Sequence, residues 1–194
     1  AAMLSFMAYY NLIDIIAGNP GIGPSAVLTE LHKRVASTIG QNAEGSMMSD
    51  GMEIGLVRIR PGATRLHYAG AGIGLLLEHD GEVQRVKGDP RSVGDRFAMD
   101  DALYRDHLVD LTVDDRVYLY SDGLIHQFGG ETGHRKLSHR RVSWHLSSLR
   151  DQDPETCLSM TDLMFTEWKG AEEQTDDVLL IGFSLKGTRA VKAA

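Results

Sequence analysis

The chain has a single cysteine, Cys157, among its 194 residues, so no disulfide can form within it. Scarce cysteine is the habit of reducing compartments, and a cytoplasmic location is expected. Cys157 falls in the helical stretch CLSMTDLMF, where a free thiol reads as a small buried hydrophobe and not as a nucleophile. Basic charge is short as well: 20 Lys and Arg stand against 27 Asp and Glu, for a net charge of -7. Phosphate backbones recruit cations, so this balance excludes nucleic acid as the main partner and suits a protein that itself holds cations. No run of about 18 apolar residues exists, which excludes a transmembrane helix. The opening AAMLSFMAYYNLIDIIAG is apolar but lacks the basic start of a signal peptide and an initiator Met. The chain reads as cut from something longer. Internal repeats and low-complexity tracts are also missing.

What is present is punctuated clearly. Residues 2 to 17 are apolar nearly all round, with Gly18 as a stop, and predict a helix packed on both sides. After the breaker Asn19-Pro20-Gly21-Ile22-Gly23, a second helix is predicted over 24–39, with Leu28, Leu31, Val35 and Ile39 inward and Lys33 and Arg34 wet. Residues 40 to 51 read as a polar loop. MEIGLVRI and TRLHYAGA then read as strands about a Pro61-Gly62-Ala63 turn, and LLLEHDGEVQRV as a hairpin with Asp80-Gly81 at its tip. RDHLVDL and DRVYLYS are two further strands joined around Asp114-Asp115. Helices follow over about 141–150 and 154–169, the second opening at Pro154 with Glu155 in its first turn and closing at Gly170. DVLLIGFSL closes the pattern as a strand buried on both faces by its composition. Blocks of strands beside blocks of helices predict an α+β fold in one domain.

The residues that carry chemistry are acids at strand ends. Asp122 follows the strand Val117-Tyr118-Leu119-Tyr120, and Gly123 after it allows close backbone approach or positive φ. Glu172-Glu173-Gln174-Thr175-Asp176-Asp177 places more acids just before the last strand. Acids at the ends of adjacent strands are a natural cage for Mg²⁺ or Mn²⁺, which take oxygen ligands. They are equally ordinary as turn residues and as protection for a sheet edge. GAGIG at 70 to 74 lacks the spacing and the following helix of a dinucleotide loop. His134, His139 and His145 stand among Arg135, Lys136, Arg140 and Arg141, without the spacing of a zinc finger or zincin. That segment reads as a solvated basic face, or as one that greets phosphate through Arg140 and Arg141. Ser5 and Ser121 have no recognisable His and Asp companions, so serine-hydrolase chemistry has no support.

Four segments, in order, carry a family resemblance: SDGMEIGLVRI, HYAGAGIGLLL, YLYSDGLIHQFGG and EQTDDVLLIGF. Together they resemble the metal-dependent protein phosphatases (the PPM, or type 2C, superfamily) in their bacterial SpoIIE/RsbU-like branch, with His126 where that branch usually has Asp. The resemblance implies a four-layer α-β-β-α sandwich of two antiparallel sheets flanked by antiparallel helices, here without its first strands. It implies one phosphatase domain over residues 1–187 and a tail over 188–194. Asp122 and Asp176 would be catalytic metal ligands, with Gly123 supporting and Asp177 orienting its neighbour or a water. Two Mn²⁺ or Mg²⁺ ions about 3.5–4 Å apart would share a water that attacks phosphorus in line.

One departure is large. Relatives carry an Asp-x-x-Gly-His-Gly motif before the first long helix, whose Asp bridges both metals, and this chain begins just after it. Neither Asp50-Gly51 nor Asp89 replaces it; these read as turn acids. The 194 residues alone are therefore expected to be weak or inactive. The resemblance further implies phosphoserine and phosphothreonine substrates on small regulators of the anti-anti-sigma (STAS) type, in partner switching or stress signalling. The domain would be the cytoplasmic output of a longer sensor, with control through the first two helices and through homodimerisation. The apolar first helix fits such an interface and fits plain core packing. The other reading is a non-catalytic pseudophosphatase or dimerisation module that binds a regulatory protein.

Overall fold

The computed structural model describes residues 2–41, 51–95 and 104–186. The elements in chain order are α1 (Ala2–Gly18), α2 (Pro24–Gln41), β1 (Ile54–Ile59), β2 (Arg65–Ala71), β3 (Leu75–His79), β4 (Glu82–Val86), β5 (His107–Asp110) and β6 (Arg116–Tyr120). They continue with α3 (Asp122–His126), β7 (Phe128–Gly129), β8 (Arg135–Lys136), α4 (Ser138–Ser148), α5 (Pro154–Lys169) and β9 (Leu180–Ser184). The expected loop over 40–51 and the tail over 188–194 fall almost wholly outside the described residues, as does Asp50. No helix among the described residues is long and apolar enough to cross a membrane. The chain divides into two compact units, each with its own antiparallel sheet.

The first unit takes Ala1–Gly74 and Lys87–Leu111. Its sheet has the order β1-β2-β5, and α2 lies against β1 and β2. Leu28, Leu31 and Val35 recur at helical spacing, and that stripe is fully buried against Ala69, Ala71, Val93 and Tyr104. Asp106, far along the chain, accepts from the Ser25 amide (3.0 Å) and hydroxyl (2.7 Å), which satisfies the open first turn of α2. Packing of α1 is one-sided, against expectation. Ala8 and Ile15 enter the core, whereas Met3, Phe6, Tyr9, Tyr10, Ile13 and Ile16 are exposed. An all-round apolar sequence supplies a buried face whichever way the helix turns, so it cannot say how many faces are covered. Asp89 is also not a turn acid: it is buried and accepts from the Arg105 amide (2.8 Å) and Nε (3.0 Å).

The second unit takes Leu75–Val86 and Thr112–Thr188. Its sheet has the order β4-β3-β6-β9. The β3–β4 hairpin turns at Asp80 (φ 50°) and Gly81 (φ 83°), two left-handed residues as its Asp-Gly tip demands. β5 and β6 are not a hairpin. β5 gives its main-chain bonds to β2 in the first unit, and β6 pairs with β3 and β9. The stretch between them is held by buried Asp115, whose carboxylate accepts from the Thr112 amide (2.9 Å) and hydroxyl (2.7 Å) and meets His79 Nδ1 at 2.9 Å. Burial opposes that charge, but these bonds outweigh it and hold the Asp115 carboxyl below its usual range.

The core of this unit joins Leu76, Tyr118, Tyr120, Leu124, Leu137, Val142, Leu146 and Phe165. The last strand differs from its predicted burial on both faces. β9 is an edge strand bonded to β6 alone, with Val178 and Leu180 packed on the core but Leu179 and Ile181 exposed. The basic segment is less wet than predicted. His145 is buried with Nε2 at 3.2 Å from the Thr161 hydroxyl, and His139 stands edge-on to Tyr120. Cys157 is half-buried, its Sγ 3.1 Å from an Arg116 guanidinium nitrogen.

Two outcomes are expected. Leu31→Ala opens a cavity in a fully buried site and should lower folding stability by about 2–5 kcal/mol in chemical denaturation. Burial holds the His145 imidazole below its ordinary value. The neutral form favoured by the fold contributes fully above about pH 6.5, and its contribution fades as pH falls below that. His79, raised by its bond to Asp115, acts oppositely: its contribution is present below about pH 6.5 and fades as pH rises through its folded value. The denaturation midpoint of His145→Gln should therefore fall less steeply between pH 7 and pH 5 than that of the unaltered chain; equal slopes refute the assignment.

Candidate functional site

β6 runs into Ser121, whose backbone is extended (φ -82°, ψ 157°) and which caps α3 without a side-chain cap bond. Its hydroxyl serves another purpose. Ser121 Oγ donates to the Asp177 carbonyl (2.8 Å) and accepts from the Leu179 amide (2.8 Å), while the Ser121 amide donates to the Leu179 carbonyl (2.9 Å). The ends of β6 and β9 are thereby sewn together just beyond the ladder that pairs Tyr120 with Leu180. Asp122 opens the helix α3 instead of sitting in an open turn.

Gly123 is required by close approach and not by positive φ. A β-carbon there would stand 2.5 Å from the Asp177 carbonyl oxygen and 3.2 Å from Asp176 Cβ, the first of which real side chains essentially never show. The backbones that carry Asp122 and Asp176 are therefore in direct contact. Both residues reach solvent: Asp122 is half-buried and Asp176 exposed. Asp122 Oδ2 lies 3.6 Å from His126 Nδ1, one helical turn away. Asp176 Oδ1 accepts from the Asp177 amide (2.7 Å), which restrains its carboxylate, and the Asp176 carbonyl accepts from Gln174 Nε2 (2.9 Å).

Sequence reasoning passed over Gln127 and Trp168. Gln127 caps the far end of α3 and is 1% exposed. Its carbonyl accepts from the Leu137 amide (3.0 Å) and the Trp168 indole (3.1 Å), and its Nε2 donates to the carbonyls of Phe128 (2.9 Å) and Glu173 (3.0 Å). The run QFGG, whose two glycines fit tightly against Trp168, was the available signal: a β-carbon on Gly129 would meet the Trp168 carbonyl oxygen at 1.9 Å. The two arginine candidates part company. Arg141 stacks its guanidinium on Trp168, 4.3 Å from the ring centroid, an attraction of about 0.5–1 kcal/mol at an exposed site. Arg140 is exposed and makes no ion pair among the described residues.

The donors near α3 are carboxylate oxygens, the kind that hard divalent cations take. Their number is small: among the described residues no group of three or more His, Cys, Asp or Glu side chains could hold a metal ion. Asp122 and Asp176 thus fit such an ion in chemistry while supplying part of a shell.

Comparison with known proteins places this arrangement. The SiaA-PP2C domain of Pseudomonas aeruginosa is 28% identical, superposes with a TM-score of 0.79, and is matched over 94% of this chain and 68% of its own. The RsbU and RsbW domains of Rv1364c from Mycobacterium tuberculosis share the fold at 16% identity and a TM-score of 0.73, over 97% of this chain and 49% of that one. So does the catalytic domain of the serine/threonine protein phosphatase PstP in complex with two manganese ions, at 16% identity and a TM-score of 0.60, over 94% and 80%. No curated protein matches the chain in sequence. The family described as Stage II sporulation protein E (SpoIIE) matches residues 1–186, nearly the full length. With its α+β elements, its two larger antiparallel sheets and this match, the chain belongs to the SpoIIE family of PP2C-type serine/threonine phosphatase domains.

Proposed function

We propose that this domain hydrolyses phosphoserine and phosphothreonine on small phosphorylated regulators, of the anti-anti-sigma STAS type, using Mn²⁺ or Mg²⁺ held in part by Asp122 and Asp176. The observation that carries the reading is the close approach of Gly123 to the Asp177 carbonyl and Asp176 Cβ, which brings the segments bearing Asp122 and Asp176 together. A divalent cation there would supply the positive charge that steadies a phosphoryl group and makes water more acidic. The chain's own contribution is orientation. The Asp177 amide restrains the Asp176 carboxylate, and α3 fixes the direction of Asp122. Arg140, exposed and without an ion pair among the described residues, is suited to attract an incoming phosphoprotein, whereas Arg141 already serves Trp168.

Two carboxylates fall short of a full site for two ions, and the 194 residues hold no Asp-x-x-Gly-His-Gly motif. The isolated chain is accordingly expected to turn over phosphate esters weakly or not at all. The second reading is a non-catalytic pseudophosphatase or dimerisation module that binds a regulatory protein. The exposed apolar face of α1 suits self-association.

Calorimetric titration with Mn²⁺ separates these readings from one without metal. Asp122→Asn and Asp176→Asn should each weaken Mn²⁺ binding by a factor on the order of 100. Hydrolysis of p-nitrophenyl phosphate should appear when an Asp-x-x-Gly-His-Gly segment is joined ahead of Ala1, and should vanish in either variant. Binding that is indifferent to both substitutions sinks the metal assignment. Retained binding of a phosphorylated STAS protein with no hydrolysis in the joined form selects the non-catalytic module. Arg140→Ala should raise KM for a phosphoprotein while leaving p-nitrophenyl phosphate turnover unchanged.

A further inference from the structure

We propose that Gln127 is a positioning residue of the candidate site: its side-chain amide holds the segment carrying Asp176 in register with Asp122. The proposal rests on the reading of those two acids as metal ligands.

The argument begins with α3. This helix is five residues long, with Ser121 as one cap and Gln127 as the other. Each cap reaches across to the same facing segment. Ser121 fixes it at the Asp177 carbonyl and the Leu179 amide. Gln127 fixes it at the Glu173 carbonyl, 3.0 Å from Nε2. Asp176 lies between these fixed points, and Asp122 lies on the helix between the two caps. The two acids therefore share one frame, and the ends of that frame are Ser121 and Gln127.

Gln127 is itself anchored through its carbonyl by the Trp168 indole and the Leu137 amide. Movement at its side chain is thus movement of the facing segment and not of the cap. The orientation of the amide is fixed by chemistry, because Nε2 faces two carbonyl oxygens, those of Phe128 and Glu173, and only a donor suits both. That orientation leaves Oε1 buried without a hydrogen-bond partner among the described residues. A buried acceptor in that condition weakens folding. An apolar residue of the same length would fill the space without it. A glutamine that opposes stability at Oε1 while tethering a carbonyl at Nε2 is placed for the tether, and local rules are broken in this way at functional sites.

Gln127→Met tests this, since it keeps the volume and removes both the tether and the stranded acceptor. Its unfolding midpoint should stay close to that of the unaltered chain, the relief at Oε1 offsetting the donor lost to the Phe128 and Glu173 carbonyls. In the metal-free protein, amide hydrogen exchange over 173–177 should quicken about tenfold, with β6 and the middle of α5 unchanged. Mn²⁺ affinity by calorimetry should fall about 10–100-fold. Gln127→Glu, which sets a carboxylate oxygen against the Glu173 carbonyl, should show the same exchange and affinity changes with a lower midpoint. Unaltered exchange over 173–177 in Gln127→Met overturns the proposal, as does unaltered Mn²⁺ affinity in a protein whose binding requires Asp122. If Mn²⁺ binding ignores Asp122→Asn, the metal reading fails, and the exchange measurement still decides whether Gln127 holds the segment.

Discussion

The candidate site depends on one close contact, the Gly123 backbone lying against the Asp177 carbonyl and Asp176 Cβ. Almost everything around it reads as a means of keeping that contact. The antiparallel pairing of β6 with β9 delivers the two segments side by side, and Ser121 extends the pairing one step past the last ladder residues. The helix α3 then turns the chain away while its first residue, Asp122, stays at the edge. The polar work is done largely by main-chain groups, each satisfied as a buried or half-buried amide or carbonyl has to be.

The second tier is the aromatic support. Trp168 closes α5 and presents its indole nitrogen to the Gln127 carbonyl, its own carbonyl to the Gly130 amide, and its ring to Arg141. Two elements with little apolar surface of their own (β7 and β8) thereby rest on the end of a long helix, beside α3, which the core holds through Leu124 and Ile125. Such short elements are too small to be stable by themselves. Their order comes from pairing with each other, from the Leu137 amide on the Gln127 carbonyl, and from Trp168 with the glycines that let it approach.

Much of this was legible in the residues. Periodicity placed α2, the Asp80-Gly81 hairpin and α5 with its Pro154 start, because each signal is local and strong. That the segments carrying Asp122 and Asp176 lie side by side was legible through the strands they border. The remainder depended on neighbours that sequence does not display. The apolar circumference of α1 could not reveal that one side faces outward, nor could the Val-Leu-Leu-Ile run reveal that β9 lies at an edge. RDHLVDL and DRVYLYS read as consecutive strands, yet whether they bond to each other is decided by β2, β3 and β9. His145 looked basic by its company and is buried by its helix face. Gln127 was hidden for a different reason: its value lies in two carbonyls, which every residue possesses.

A frame made from the main chain has an evolutionary corollary. If the two acids hold metal as proposed, exchange of Asp122 or Asp176 for a neutral residue would end the chemistry and leave the Ser121, Gly123 and Gln127 contacts in place, so form and catalysis could be lost separately. Gly123 allows no such separation, because any β-carbon there strikes the Asp177 carbonyl. In descendants of this domain the glycine is thus the surer record of shape and the acids the surer record of activity. A copy that kept the first and lost the second would be a binding protein wearing an enzyme's backbone.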